Sequence, residues 1–193
     1  IDVTSLANTI HFEIVGGIAN AASGVSAASG DINGDGYEDI IIGAYTAKSG
    51  KGETYVIFGS PNISNSSQIN LASSSSGVLK IIGKNVVDWS GYSVASGNFN
   101  GDNYDDIVIG AYKADPGNRV NAGEVYVIFG SAALYAKGTI DLSTTTSGVL
   151  RISGNNQEDY FGFAIASGDV NGDTFEDIIV GAYGCDLPGK LDV

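Results

Sequence analysis

The stretch Tyr92-Ser93-Val94-Ala95-Ser96-Gly97-Asn98-Phe99-Asn100-Gly101-Asp102-Asn103-Tyr104-Asp105-Asp106-Ile107-Val108-Ile109-Gly110-Ala111-Tyr112 decides how the rest of the chain folds. It opens on a short strand of small residues and passes through an acidic, glycine-bearing turn. It then enters a continuous apolar run, which implies a strand buried on both faces. Its parts recur. Ala44-Tyr45, Ala111-Tyr112 and Ala182-Tyr183 each follow a Gly, at spacings of 67 and 71. Working outward, Gly52-Glu53-Thr54-Tyr55-Val56-Ile57-Phe58-Gly59-Ser60 returns as Gly123-Glu124-Val125-Tyr126-Val127-Ile128-Phe129-Gly130-Ser131. Gly77-Val78-Leu79-Lys80-Ile81-Ile82-Gly83 returns as Gly148-Val149-Leu150-Arg151-Ile152-Ser153-Gly154, and Ile1-Asp2-Val3, Ile69-Asn70-Leu71 and Ile140-Asp141-Leu142 form a third recurring set. The unit is about 70 residues long, present twice in full and once in part.

Each unit carries four strand signals: a small first strand, the apolar second, a β-branched and aromatic third (Val125 to Phe129) and a mixed fourth (Val149 to Ile152). No stretch has a helical period with caps. Four short strands per repeat, with turn signals between them, predict an all-β chain of β-propeller blades. The small first strand is expected nearest the axis, where blades crowd. Asn62 to Ser76 and Ala132 to Ser147 read as polar connections between third and fourth strands. The repeats span about 1–68, 69–139 and 140–193, giving one propeller segment over 1–193 of about two and three-quarter blades. Gly189 to Val193 aligns with Gly52 to Val56, inside a third strand, and a fourth-type strand lies near Ile10 to Val15. The expectation is a segment of a larger propeller, or one whose incomplete blades are completed by other chains through edge pairing.

Composition narrows the chemistry. The 193 residues carry 9 Lys+Arg against 22 Asp+Glu, a formal charge of −13. That balance argues against nucleic acid, whose phosphates need cationic partners, and against anionic membrane surfaces. No apolar run approaches the roughly 20 residues of a spanning helix, so no membrane insertion is expected. One Cys, Cys185, gives no internal disulfide framework, and one His, His11, removes most His-based catalysis. Any bound ion must be held by oxygen.

Three nine-residue loops supply that oxygen. They are Asp31-Ile32-Asn33-Gly34-Asp35-Gly36-Tyr37-Glu38-Asp39, Asn98-Phe99-Asn100-Gly101-Asp102-Asn103-Tyr104-Asp105-Asp106 and Asp169-Val170-Asn171-Gly172-Asp173-Thr174-Phe175-Glu176-Asp177. Side-chain oxygens fall at positions 1, 3, 5 and 9, and the aromatic at position 7 offers its carbonyl. Ca²⁺ takes six to eight oxygens in a flexible shell, a better match than the strict octahedron of Mg²⁺. Asx turns in solvated hairpins account for one such loop; three at matching repeat positions favour an ion. An EF-hand is excluded, because the flanks are strands and position 12 holds no Glu. Asn98 replaces the leading Asp, so the middle site is expected to be the weakest. The acids at position 8 (Glu38, Asp105, Glu176) read as outward-facing, solubilising charges.

The loops, the Gly-Ala-Tyr triplets, and Asp88-Trp89-Ser90-Gly91-Tyr92 and Asp159-Tyr160-Phe161-Gly162-Phe163 ahead of the first strands resemble FG-GAP repeats, the blades of the integrin alpha-chain β-propeller. The resemblance runs from about Ile10 to Val193. It implies up to three Ca²⁺, held by Asp31, Asn33, Asp35, Tyr37 carbonyl and Asp39; by Asn98, Asn100, Asp102, Tyr104 carbonyl and Asp106; and by Asp169, Asn171, Asp173, Phe175 carbonyl and Asp177. Tyr stands where the family has the Pro of Gly-Ala-Pro, and Ala22-Ser23-Gly24 stands where the first repeat would have its aromatic-Gly pair. Trp89 and Tyr160 read as blade-to-blade packing aromatics, His11 as structural and Cys185 as a surface or packing thiol. Asn62-Ile63-Ser64 and Asn65-Ser66-Ser67 match glycosylation acceptors.

The function expected is that of a non-enzymatic, extracellular, calcium-binding module, secreted or at the cell surface, for adhesion to or recognition of a protein or glycan ligand. Two alternatives stand beside it. One is the propeller portion of a secreted hydrolase, lyase or phospholipase-like enzyme, although no Ser/His/Asp or Cys/His set can be assembled here. The other is a self-assembling surface or fibre protein.

Overall fold

The computed structural model describes residues 13–17, 19–61, 63, 68–72, 77–145 and 147–185. Among these the strands, in chain order, are β1 (Glu13–Val15), β2 (Ser26–Gly30), β3 (Asp39–Ala44), β4 (Glu53–Ile57), β5 (Gln68–Asn70), β6 (Val78–Ile82), β7 (Ser93–Gly97), β8 (Asp106–Ala111), β9 (Glu124–Ile128), β10 (Thr139–Asp141), β11 (Val149–Ser153), β12 (Phe161–Gly168) and β13 (Asp177–Ala182). Among the described residues, helical structure is confined to three short turns, at Ala47–Gly50, Pro116–Asn118 and Ala132–Ala136. None of the described helices is long and apolar enough to cross a membrane.

The strands form the blades of a partial propeller. In the first blade β2, β3, β4 and β6 lie side by side, each antiparallel to the next. The second repeats this as β7, β8, β9 and β11. The third is described as the antiparallel pair β12–β13. His11, the acceptor sequences at Asn62 and Asn65 and the third-strand pattern at 189–193 lie outside the described residues.

The core lies between the blades. Odd-numbered side chains of β3 (Ile41) meet Ile107 and Ile109 of β8 and Tyr126 and Ile128 of β9, with Val56, Leu79 and Ile81 completing the layer. On the other side of the second blade, Val108, Val125 and Val127 pack against Phe161, Ile165, Ile178 and Val180 of the third. Alternate residues of one strand thus bury against opposite neighbours, which is why the second strand is apolar throughout.

Near the axis space is scarce, and small side chains fill it. Ser93 Oγ donates to the Gly162 carbonyl at 2.7 Å and Ser26 Oγ to the Gly91 carbonyl at 2.9 Å. The inner strands are joined directly too: Ser167 Oγ donates to the Ser96 carbonyl at 2.7 Å, and Ser96 Oγ to the Ser29 carbonyl. Gly43 and Gly110 admit no side chain, since a methyl there would lie 2.0 Å and 2.2 Å from the carbonyls of Gly91 and Gly162.

The polar connections between third and fourth strands contain strands that the sequence pattern did not show. β10 leaves its own blade and pairs in parallel with β6, the outer strand of the preceding blade, aligning Ile140 with Ile81. β5 pairs in the same way with β1, aligning Ile69 with Ile14. The recurring Ile-Asp/Asn-Leu motif is therefore a clasp between consecutive blades. Three residues per strand are too few for a periodic signal, so only the repetition of the motif marked them.

Candidate metal loops

All three acidic loops join the first strand of a blade to the second and emerge at one end of the sheets. At the base of each, the position-9 acid is the first residue of the second strand. Asp39 Oδ2 accepts the Ile32 N–H at 3.0 Å and Oδ1 the Gly59 N–H at 2.7 Å. Asp106 repeats the bracket with Phe99 at 3.2 Å and Gly130 at 2.8 Å, and Asp177 Oδ2 accepts the Val170 N–H at 2.9 Å. Asp39 and Asp106 are fully buried. Burial pushes the Asp39 carboxyl up to about 6, against the pull of its two N–H donors and aided by the negative charges of Asp35 and Asp31. The Asp106 carboxyl is raised for the same first reason.

Above the base, the loop folds over its own side chains. Asp31 Oδ1 and Asn33 Oδ1 both accept the Asp35 N–H, at 3.0 and 2.9 Å, so the oxygens of positions 1 and 3 lie side by side. Asp31 Oδ2 takes the Gly36 N–H at 2.9 Å, and Asp35 Oδ1 the Tyr37 N–H at 3.0 Å. In the third loop Asp169 Oδ1 and Asn171 Oδ1 share the Asp173 N–H at 3.1 and 2.8 Å, and Asp173 Oδ1 accepts the Phe175 N–H at 2.9 Å.

The middle loop differs where Asn98 replaces Asp. Asn98 Oδ1 accepts the Gly101 N–H at 2.8 Å, while Asn100 Oδ1 alone takes the Asp102 N–H at 2.9 Å. The Asn98 Nδ2 donates to the Asp102 carbonyl, in place of a second carboxylate oxygen. Among the described residues, no three carboxylate, imidazole or thiol groups are gathered as a ready metal shell. What the loops gather is mixed: carboxylate and amide oxygens at positions 1, 3 and 5, with position 9 committed first to the hairpin base. These are hard donors, each keeping a spare lone pair, and they fit a hard cation of flexible coordination.

The position-8 acids are not all outward-facing. Glu38 is exposed, but Asp105 turns towards the preceding blade, where its Oδ2 accepts the Asp31 N–H at 2.8 Å. The Glu176 carboxylate lies over Gly97. The sequence could not show this, because the neighbour belongs to another repeat.

Two further acids escaped sequence reasoning. Glu53 and Glu124 sit fully buried at the other end of the blades, at the start of the third strands. Each accepts the hydroxyl of the tyrosine two residues on, Tyr55 or Tyr126, and burial followed by this contact pushes both phenols well above their usual range. Lys48 at 3.6 Å and Lys80 at 4.0 Å neutralise Glu53; Lys84 and Arg151, both at 3.6 Å, neutralise Glu124. Repetition of Gly-Glu-x-Tyr was their only signal. At the same end, Tyr45, Trp89, Tyr92, Tyr112, Phe163, Tyr160 and Tyr183 form one aromatic chain across the blades, with ring centroids 4.5–6.0 Å apart. Trp89 and Tyr160 take the blade-to-blade packing role expected of them. Ala22 replaces them in the first blade, yet keeps their left-handed backbone, with φ of 51° against 59° and 53°. Cys185 is free and exposed.

The FG-GAP repeat profile matches this chain over residues 23–57, 90–128 and 161–186, each window running from the first-strand approach through the acidic loop. The chain belongs to the FG-GAP repeat family. Integrin alpha-PS2 of Drosophila melanogaster is 31% identical over 164 residues, covering 82% of this chain and 10% of that protein. Integrin alpha-V of Gallus gallus is 31% identical over 169 residues, covering 83% and 14%. Phosphatidylinositol-glycan-specific phospholipase D of Bos taurus is 29% identical over 167 residues, covering 82% and 18%. This FG-GAP chain thus spans between 10% and 18% of the length of these relatives, and what it shares with them is a propeller module.

Proposed function

We propose that this FG-GAP chain is a non-enzymatic, calcium-binding propeller module of a secreted or cell-surface protein, acting in adhesion or recognition of a protein or glycan. The observation that carries the reading is the loop geometry: oxygen-rich loops at the same place in three consecutive blades, two of them with a carboxylate and an amide oxygen converging on one N–H. Asp31, Asn33 and Asp35 would hold the cation in the first loop, Asn98, Asn100 and Asp102 in the second and Asp169, Asn171 and Asp173 in the third. Position 9 and the position-7 carbonyl would complete each shell. Calcium would neutralise carboxylates that otherwise repel one another, adding its binding free energy to folding. Extracellular sites of this kind work at millimolar calcium, which suits a module outside the cell.

The test is calorimetric unfolding in calcium and in chelator. Chelation is expected to lower Tm by several degrees or more, consistent with a few kcal/mol of linked binding in a domain of this size. Asp35→Ala with Asp173→Ala should abolish most of that difference, and equal Tm values in the wild-type chain would overturn the reading.

The likeness to a phospholipase D favours a second reading, in which the same module is the propeller portion of a hydrolase. Turnover of a phosphodiester or polysaccharide substrate by this chain, surviving loss of the loop acids, would establish it.

A further inference from the structure

We propose that the position-8 acid and position-7 aromatic of the second and third loops form a latch on the loop of the preceding blade, so that neighbouring cation loops are energetically coupled. This rests on the calcium reading above. Asp105 grips Asp31, the first ligand position of the neighbouring loop, from both sides: its carboxylate accepts the Asp31 N–H at 2.8 Å, and its own N–H donates to the Asp31 carbonyl at 3.0 Å. Beside it, the Tyr104 ring covers Gly34, position 4 of the same loop, where a methyl would lie 2.6 Å from Cε1. The carboxylate itself rests over Gly30, the last residue of β2, where a Cβ would be 2.8 Å from Oδ2.

The next pair of blades shares the ring cover, the backbone bond and the placed carboxylate. Phe175 covers Gly101, the Glu176 N–H donates to the Asn98 carbonyl at 3.3 Å, and the Glu176 carboxylate occupies the space above Gly97. At Gly34 and Gly101 the neighbour's ring fills the volume a Cβ would take, on top of their left-handed φ of 72° and 74°; at Gly30 and Gly97 the neighbour's carboxylate occupies that space. At Gly168 and Gly172 nothing among the described residues lies within 4 Å.

The physical consequence follows from position. Tyr104 and Asp105 lie between Asp102 and Asp106 of their own loop, so a cation that orders the second loop fixes the groups that hold Asp31. Asp105 is thus a positioning residue for the first loop while sitting in the second. Coupling free energies are reciprocal, so emptying either loop must weaken the other by the same factor.

Hydrogen-exchange mass spectrometry of the full chain, titrated with CaCl2 from a chelated start, reads each loop separately. Asp105→Ala is expected to speed exchange across 31–39 in chelator, to leave 169–177 unchanged, and to raise the calcium midpoint of 31–39 about tenfold, the loss of one charge-assisted hydrogen bond. Asp105→Asn keeps an acceptor for the Asp31 N–H and should restore both to within about twofold. Because the middle loop is the weaker site and fills after the first, Asp35→Ala should raise the calcium midpoint of 98–106, and Asp102→Ala should raise that of 31–39 by a smaller factor. Unchanged exchange across 31–39 in Asp105→Ala overturns the latch, and an unshifted 98–106 midpoint in Asp35→Ala overturns the coupling. If no wild-type loop gains protection with calcium, the calcium reading fails and the coupling with it; the chelator measurements still decide the latch.

Discussion

Asp88 shows how a single side chain can set local structure at a cost that depends on pH. Its carboxylate accepts the backbone N–H of Asn85 at 3.2 Å and the side-chain amide at 3.0 Å, closing the turn that feeds the second blade. Burial pushes its carboxyl up from 3.8 to about 6, with the Glu124 charge adding to the shift while Asn85 and Lys84 oppose it. A carboxyl with a raised folded-state value binds its proton more tightly when folded, so stability falls as pH rises from about 4 to about 6. Asp88→Asn should flatten that part of the profile in chelator, by up to about 3 kcal/mol for a shift of this size; chemical denaturation at pH 4 and pH 7 measures it, and parallel wild-type and variant profiles would refute it. Gly34 and Gly36 separate two reasons for glycine. Both have left-handed backbone, with φ of 72° and 86°, but only Gly34 meets a neighbour's ring. Gly36→Ala should cost about 1 kcal/mol, the conformational penalty alone. Gly34→Ala should cost at least about 2 kcal/mol, with the excess over Gly36→Ala disappearing in a Tyr104→Ala background.

At the scale of the element, the clasp strands β5 and β10 are the feature with most consequence. Each contributes three residues and places one apolar side chain in an interblade core; Ile140, 1% exposed, packs in the layer between the first and second blades. Ile140→Ala should destabilise by about 2–4 kcal/mol through the lost burial and the cavity left behind. Because β10 pairs with β6 of the preceding blade, the β6 amides that donate towards it, including Lys80 N–H to the Gly138 carbonyl at 3.0 Å, should lose exchange protection in this variant. Protection retained along β6 would show that the parallel pairing does not depend on the buried isoleucine. The inner strands follow a different rule: their stability comes from Ser and Gly, which let carbonyls of adjacent blades approach, and not from apolar bulk.

For the whole molecule, equivalent positions in successive blades acquire different weights. Val108 is 0% exposed because the third blade covers it, whereas Ile179, its counterpart one repeat later, is 48% exposed. Val108→Ala should therefore cost roughly 2 kcal/mol, and Ile179→Ala well under 1 kcal/mol; denaturant midpoints in the isolated chain compare them, and equal losses would show that Ile179 is covered. The repeat length, the four strands per blade, the small inner strand, the apolar second strand and the oxygen-rich loops were all legible in the sequence. Each arises from contacts within about 30 residues or from a periodicity that burial on two faces enforces, as in Asp106 to Ala111. Asp105 as a latch, Ile140 as a clasp and the buried charges of Glu53 and Glu124 were not, since each takes its meaning from residues in a neighbouring strand or repeat. Three-residue strands and single acids have no period of their own. Local pattern and repetition are enough to make these residues blades with acidic hairpins; which blade each connecting segment serves is set in the folded molecule, because packing between repeats, and not local propensity, selects the partner.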